Sequence, residues 1–111
     1  MGKLSRTKGH AFERDIAGRL RPTYGEGVKR AIQTRGAKSE GCDVEGTPWW
    51  IETKVGVQPN PRAALRQAQS DTDGRPVVCV IKDNGAGSRP ANEFVCMPWS
   101  VFLAICEGDL P

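Results

Sequence analysis

An uninterrupted apolar run, Val77–Ile81, constrains the fold of this chain more than any other feature. β-Branched residues dominate it, so Pro76 to Lys82 is predicted to be a strand. A strand with one wet face would alternate apolar and polar residues, whereas a continuous run predicts burial on both faces. A strand of this kind needs covering elements on both sides, which indicates an α/β fold with helices above and below a sheet.

Three segments carry helix signals. Thr7 is predicted to cap a first helix that begins near Lys8 and stops near Arg21, because Pro22 follows. Its apolar stripe is Phe12, Ile16 and Leu20, with Ala17 beside it. Residues 1–7 are predicted to be a flexible basic arm.

The second helix is predicted to have Asn60 as its cap and Pro61 as its first residue, and to run to about Thr72. A third is predicted to open at Pro98 and to carry Trp99 and Phe102. Those two aromatic side chains either pack on the chain's own sheet or supply a dimer surface.

The remaining segments read as strands: Val28 to Arg35, Cys42 to Glu45, Trp49 to Val55 and Glu93 to Met97. The predicted order is therefore αβββαββα, in a three-layer α/β architecture with a mixed central sheet flanked by helices. A length of 111 residues predicts one domain, residues 1–111.

The net charge of +3 is unevenly distributed. Residues 1–38 hold ten Lys/Arg and three Asp/Glu, a balance of +7, and the rest of the chain is acidic at −4. Such asymmetry suggests a phosphate-binding face beside an acidic site, although basic residues that merely solvate a helix give the same pattern.

The four cysteines and His10 lack the close spacing of a zinc site. Reduced cysteines are expected, with Cys79 and Cys96 buried in apolar runs. No apolar run approaches the ~18–20 residues that span a bilayer, and no signal peptide is recognised. The chain is therefore expected to be cytoplasmic.

Asp43, Glu52 and Lys54 form the constellation that carries chemistry. If the turn at Gly46-Thr47 is tight and of even length, Asp43 lies opposite Trp50, and all three side chains project from one face. The Asp43–Glu52 diagonal is then roughly 7–8 Å between Cα atoms. An odd loop would break this argument. The alternative is that Glu52 and Lys54 form an exposed surface ion pair of little consequence.

Two carboxylates at that separation suit one Mg²⁺ ion, which proteins hold through one or two carboxylates, waters and substrate phosphate oxygens. Such an ion polarises a phosphodiester and lowers the pKa of an attacking water. Lys54 beside it would orient that water or stabilise the charged transition state. Catalytic and metal-binding roles are therefore predicted for these residues, with Mn²⁺ as a substitute for Mg²⁺.

The stretch Cys42-Asp43 followed by Ile51-Glu52-Thr53-Lys54 resembles the signature of the PD-(D/E)XK nuclease superfamily. The helix around Gly9-His10-Ala11-Phe12-Glu13 resembles the first helix of archaeal-type Holliday junction resolvases and their phage relatives. The chain departs from the signature at Cys42, where the family has a variable proline. The resemblance spans nearly the whole chain, with about a dozen specific positions.

The resemblance implies a restriction-endonuclease-like core and a homodimeric, metal-dependent endonuclease that cuts four-way DNA junctions, in the host cytoplasm if phage-encoded. It implies that Glu13 joins the metal site and that Gln67, on the helix after the third strand, approaches it. Each of these two residues has a plainer interpretation as a polar residue on a helix surface. His10 is expected to contact phosphate or solvent.

Basic residues on the arm and near the site are predicted to contact DNA phosphates, which position a backbone without reading its sequence. They are Lys3, Arg6, Lys8, Lys29, Arg30, Arg35 and Lys38, with Ser39 as a further candidate. Two alternatives stay open: another nuclease of the same superfamily (nicking, repair or restriction-like), and a non-catalytic basic DNA-binding protein.

Overall fold

The computed structural model describes residues 3–32, 41–86 and 92–110. The helices are α1 (Lys3–Tyr24), α2 (Pro61–Asp71) and α3 (Trp99–Cys106), with a short 3₁₀ helix at Asn84–Ala86. The strands are β1 (Lys29–Arg30), β2 (Val44–Glu45), β3 (Trp50–Gly56), β4 (Val77–Asp83) and β5 (Glu93–Cys96). The predicted order αβββαββα is confirmed.

The five strands form one mixed sheet in the order β1-β2-β3-β4-β5. Strands β3 and β4 are parallel, with Trp50 opposite Val77 and Gly56 opposite Asp83, and the other neighbours are antiparallel. A parallel pair needs a crossover connection, and α2 provides it. The α/β class and the mixed sheet flanked by helices are therefore as predicted.

Each face of the sheet carries its own apolar cluster under one helix. The α2 face buries Cys42, Trp50, Ala64, Ala68, Val77, Cys79 and Ile81. The α1 face buries Phe12, Ile16, Ala17, Val28, Val44 and Ile51. Burial of this apolar surface, at ~25 cal/mol per Å², supplies the main force that holds the helices on the sheet.

Helix α1 is longer than predicted at both ends. It begins at Lys3, so the arm predicted for residues 1–7 is wrong from residue 3 onward. Residues 3–7 contain no proline or glycine, and nothing in them interrupts a helix. Pro22 lies in the final turn, where it removes a single intrahelical hydrogen bond. The Gly25 N–H then closes the helix by donating to Arg21 O at 2.8 Å.

Strand β1 is shorter than predicted. The ladder covers Lys29–Arg30 and continues through one more hydrogen bond, from Ala31 N to Asp43 O at 2.9 Å. The end of the predicted strand, residues 33–35, lies outside the described residues.

Strand β4 is buried fully on one face only. Val77, Cys79 and Ile81 are buried on the α2 face, but Val78 and Val80 are half-buried on the α1 face. Helix α1 packs over β1, β2 and β3, and an apolar cleft of about 330 Å³ remains between it, β4, β5 and α3. The prediction of burial on both faces therefore holds for only one face.

Helix α3 buries none of its residues. Trp99 is 71% exposed, and Phe102, Leu103 and Ile105 are also exposed. The sequence left two alternatives for Trp99 and Phe102, and the structure does not pack these two side chains on the chain's own sheet. No helix in the described part of the chain is both long and apolar enough to cross a membrane.

Candidate active site

The β2–β3 hairpin brings the two predicted carboxylates together through a wider loop than expected. The predicted register, with Asp43 opposite Trp50, would pair Val44 with Trp49. In the structure Val44 lies opposite Ile51, so the predicted pairing is wrong by two residues. The cause is a four-residue loop, Gly46–Trp49, in which Thr47 Oγ1 accepts from Trp49 N at 3.0 Å. The predicted loop has two residues and the observed loop has four. Because both numbers are even, each β3 side chain lies on the face of the sheet that was predicted for it.

Asp43 lies just before β2, where regular alternation breaks. Cys42 packs in the α2-face cluster, whereas Val44, two residues later, packs in the α1-face cluster. Asp43 N donates to Ile51 O at 2.8 Å, alongside the Val44–Ile51 pair. The extra residue on this strand is typical of a β-bulge, which re-aims a side chain.

The Asp43 carboxylate is held by Thr53. Oδ2 accepts from Thr53 N at 2.8 Å and from Thr53 Oγ1 at 3.3 Å. Sequence reasoning missed this contact, although a hydroxyl side chain between Glu52 and Lys54 was visible in the motif. The Asp43 carboxylate is thereby fixed against the middle of β3.

Glu52 lies against Asp43 in a desolvated position. Its Oε1 atom is buried and has no hydrogen-bond partner among the described residues. Burial, followed by the charge of Asp43 and a hydrogen bond to that carboxyl, raises the pKa of Glu52 to about 8. The indole N–H of Trp50 acts in the opposite direction and lowers the pKa of Glu52. This N–H is itself buried, and it has no well-formed hydrogen bond among the described residues. Burial beside Asp43 therefore favours the protonated form of Glu52.

A cleft of about 190 Å³ opens from Glu52 towards α2. Lys54 and Gln67 line it, and Ala63 and Ala64 leave room because their side chains are short. Glu52 and Lys54 form no ion pair in the described structure, which counts against the surface-pair interpretation. Gln67 thus lies where the resemblance implied.

Glu13 reaches Asp43 from the other side of the sheet. A cleft of about 310 Å³ is lined by His10, Glu13, Arg30, Ala31, Ile32 and Asp43. Burial, with the charge of Asp43 as the next cause, raises the pKa of Glu13 to about 7. Arg30 Nη1 lies 3.9 Å from Glu13 Oε2 and opposes that rise. The charge of Asp43 therefore raises the pKa of both Glu13 and Glu52.

These residues suit a hard divalent cation in part. Across the described ranges, no three His, Cys, Asp or Glu side chains converge closely enough to hold a metal ion, so Glu13 does not complete a three-carboxylate cluster. Asp43 and Glu52 alone give the two carboxylates that Mg²⁺ commonly uses in proteins. The unpartnered Oε1 of Glu52 is the kind of buried acceptor that a cation would satisfy.

Few of the predicted DNA-contacting residues are shown near the carboxylates. Lys8 is exposed on α1, and Lys29 Nζ lies 3.6 Å from Glu45 Oε1. Lys3 and Arg6 belong to α1, but their side chains lie outside what the structure describes, as do the whole of Arg35, Lys38 and Ser39. Only Arg30 is shown beside the carboxylates.

None of the four cysteines, all of which the structure describes, forms a disulfide bond, and Cys96 is less buried than predicted. Cys42 and Cys79 are buried, Cys96 is half-buried and Cys106 is exposed. Burial, with Glu52 as the next cause, raises the pKa of the Cys79 thiol to about 12. Arg75 covers the Trp50 ring at 5.2 Å and closes this core on the side of Cys42.

Searches against models of protein families, against curated proteins and against solved structures find no match to this chain.

Proposed function

We propose that this protein is a Mg²⁺-dependent endodeoxyribonuclease that hydrolyses phosphodiester bonds in branched DNA, as a Holliday junction resolvase does. One observation carries the proposal: the half-buried Glu52 carboxyl lies against Asp43 with one oxygen unpartnered, in the strand that also presents Lys54. Asp43, Glu52 and Lys54 resemble the acidic and lysine positions of the PD-(D/E)XK motif.

The architecture supports a restriction-endonuclease-like core. The motif strand β3 lies in the middle of a mixed sheet, and α1 and α2 cover opposite faces. Helix α1 presents Glu13 to Asp43, and α2 presents Gln67 to the cleft at Glu52. Two helices and a hairpin thus converge on one pair of carboxylates.

Different residues of the chain would have different roles in hydrolysis. Asp43 and Glu52 would hold Mg²⁺ or Mn²⁺, and Glu52 must give up its proton to do so. The bound ion would neutralise phosphate charge and acidify the attacking water. The water oxygen bonds to phosphorus, the phosphorus bond to the leaving sugar oxygen breaks, and the proton lost by the water is balanced by one gained at that oxygen.

Lys54 and Gln67 line the side of the cleft away from Asp43. The Lys54 ammonium would orient the water or stabilise the negative charge that builds up on phosphorus-bound oxygens. The Gln67 amide can both donate to phosphate and accept from water. Glu13 is the third proposed carboxylate, and it would have to move towards the cation to bind it. That movement would release Arg30, which lies 3.9 Å from Glu13, to bind a phosphate oxygen.

DNA affinity in this proposal comes from the basic N-terminal third of the chain. Lys8, Lys29 and Arg30 are the members whose side chains the structure describes, and Lys3, Arg6, Arg35, Lys38 and Ser39 complete the proposed set. Contacts of this type bind the backbone at any sequence, which suits an enzyme that recognises branched shape.

A homodimer is proposed as the active assembly, through α3 and the neighbouring edge strand β5. Four large apolar side chains of α3 and two of β5, Phe94 and Val95, are exposed. A symmetric pair could bury them and present two sites to opposite strands of a junction. Action on DNA would place the protein in the cytoplasm, that of the host if a phage encodes it.

The test is cleavage of a synthetic four-way junction in Mg²⁺, with D43N compared against wild type and against D109N, a matched change at an exposed aspartate far along the chain. We expect loss of cleavage in D43N alone. Equal cutting of flaps or linear duplex would instead indicate another nuclease of this superfamily. DNA binding without any cleavage would indicate a non-catalytic DNA-binding protein.

A further inference from the structure

Besides the two clefts at the carboxylates, a third cleft, of about 360 Å³ and mostly apolar in its lining, lies on the opposite flank of α1 from Glu13. Its α1 lining is Lys8, Ala11, Phe12 and Asp15, and the sheet contributes Val55, Lys82 and Asn84. Residues three and four apart on a helix share a flank, so Lys8, Ala11 and Asp15 face one way while His10 and Glu13 face another. None of the seven lines either cleft at the carboxylate pair.

The charge of this third cleft is positive. Asp15 is occupied by Arg19, whose Nη2 lies 2.9 Å from Asp15 Oδ2. Neither Lys8 nor Lys82 forms an ion pair with a residue in the described ranges. Two ammonium groups therefore share this cleft, and the carboxylates beside them, Asp15 in the cleft and Glu93 opposite Lys82 on β5, both pair with Arg19.

One of those charges lies over an aromatic ring. Lys82 Nζ is 6.0 Å from the centroid of the buried Phe12 ring, at the outer limit of a cation–π contact. Asn84, directly after β4, adds an amide that donates hydrogen bonds. Two cations and an amide donor around a concave surface are the chemistry that recognises a phosphate group.

We propose that Lys8, Lys82 and Asn84 bind a phosphate of the DNA backbone outside the cleavage position; this inference rests on the proposed nuclease function. Lys82 lies opposite Val55, three residues along β3 from Glu52, and it faces α1, whereas Glu52 lines the cleft towards α2. The sheet therefore separates a phosphate bound here from the cleft at Glu52, which places that phosphate outside the cleavage position.

The experiment measures binding separately from cleavage. A fluorescent four-way junction is titrated in EDTA with wild type, K82M and K82R over a range of KCl concentrations. Methionine keeps an unbranched apolar side chain and removes the charge, and arginine keeps the charge. We expect K82M to bind about five- to tenfold more weakly and to lower the salt slope by about 0.9, the value for one lost phosphate contact. K82R should retain the wild-type slope.

Thermal melting of K82M must match wild type, and K8M gives a second test at a position with no contact to the core. Unchanged affinity and salt slope in both K82M and K8M would overturn the proposal. So would saturable binding of inorganic phosphate that K82M abolishes without any loss of DNA affinity, because the cleft would then belong to a small phosphorylated ligand.

The two proposals fail in different ways. Cleavage that depends on Asp43, together with wild-type DNA binding by K82M, would reject the phosphate cleft and leave the nuclease intact. A protein that binds DNA through Lys82 but cuts no substrate would retain the cleft and reject the nuclease.

Discussion

The backbone N–H of Thr53 donates to the Asp43 carboxylate at 2.8 Å, and its hydroxyl approaches the same oxygen at 3.3 Å. The residue between the two motif positions on β3 therefore holds the acid that comes from the neighbouring strand. This contact leaves the second oxygen of Asp43 to face Glu52, Glu13 or a cation. Thr53 is in this respect a positioning residue for the proposed site.

Removal of the Thr53 hydroxyl should slow DNA cleavage while leaving the fold intact. T53V keeps the shape and the backbone donor but loses one hydrogen bond, which is worth about 1 kcal/mol, or roughly fivefold in kcat. T53S keeps the hydroxyl and should rescue most of that loss. Single-turnover cleavage of a four-way junction measures the effect. Equal rates for T53V and wild type would show that the backbone contact alone positions Asp43.

Stability should fall as pH rises from about 4.5 to about 8, in the absence of divalent cations. The folded pKa of Glu52 is about 8 against 4.5 for the unfolded group, so the folded state keeps a proton that the unfolded chain loses. E52Q mimics the protonated form and should weaken this dependence, melting above wild type at pH 9, while Glu13, whose pKa is raised to about 7, supplies the dependence that remains. Thermal melts of wild type, E52Q and the exposed control E107Q between pH 4 and 9 test this, and parallel curves for all three would contradict it.

Metal binding should release protons and strengthen with pH. Mg²⁺ must displace the proton held at Glu52, so affinity is expected to rise up to about pH 8 and then level off. Calorimetry of Mg²⁺ binding in two buffers of different ionisation enthalpy measures the protons released. D43N should weaken binding and reduce cleavage by about a hundredfold or more, because the ion contributes several kcal/mol. Full Mg²⁺ affinity in D43N would exclude this pair as the metal site.

The hairpin loop should be intolerant of a side chain at Gly46. Gly46 has φ 91°, and a Cβ there would clash with the backbone of Gly27. Gly25 has a similar φ of 99° with open space around it. G25A should therefore cost only backbone strain, about 1–2 kcal/mol, and G46A should cost clearly more. Urea unfolding of both variants gives the comparison, and equal losses would mean that the loop yields to the added methyl.

A charge on α3 should break the proposed dimer. W99E places a carboxylate among the exposed apolar side chains of α3. V57E is the control, because it makes the same kind of change at a loop position of similar exposure, 74% for Val57 and 71% for Trp99. Sedimentation equilibrium should show a dimer for wild type and V57E and a monomer for W99E. We expect the monomer to nick junctions rather than cut both strands together. A monomeric wild type would remove the dimer from the proposal.

Much of the fold was predictable because its signals are local. Asn60 caps α2 as expected, with Oδ1 accepting from Ala63 N at 3.2 Å, and Pro61 follows as the first helical residue. The strand at Val77 and the element order also follow from residue type and spacing alone. Each depends on neighbours a few residues away.

The features that sequence reasoning missed depend on distant parts of the chain. The four-residue loop is set by the Thr47 hydrogen bonds and the close approach of Gly46 to Gly27. The apolar spacing of α3 could not say whether the sheet or another molecule covers it. For the candidate site, the sequence correctly grouped Glu52, Lys54 and Gln67. It did not reveal that Asp43 lies between two clefts.

The loop between β2 and β3 also limits how this hairpin can change over time. Adding or deleting a single residue at Gly46–Trp49 would turn one strand over and move every side chain on it to the opposite face. Natural variants of this chain are thus expected to gain or lose residues here in pairs.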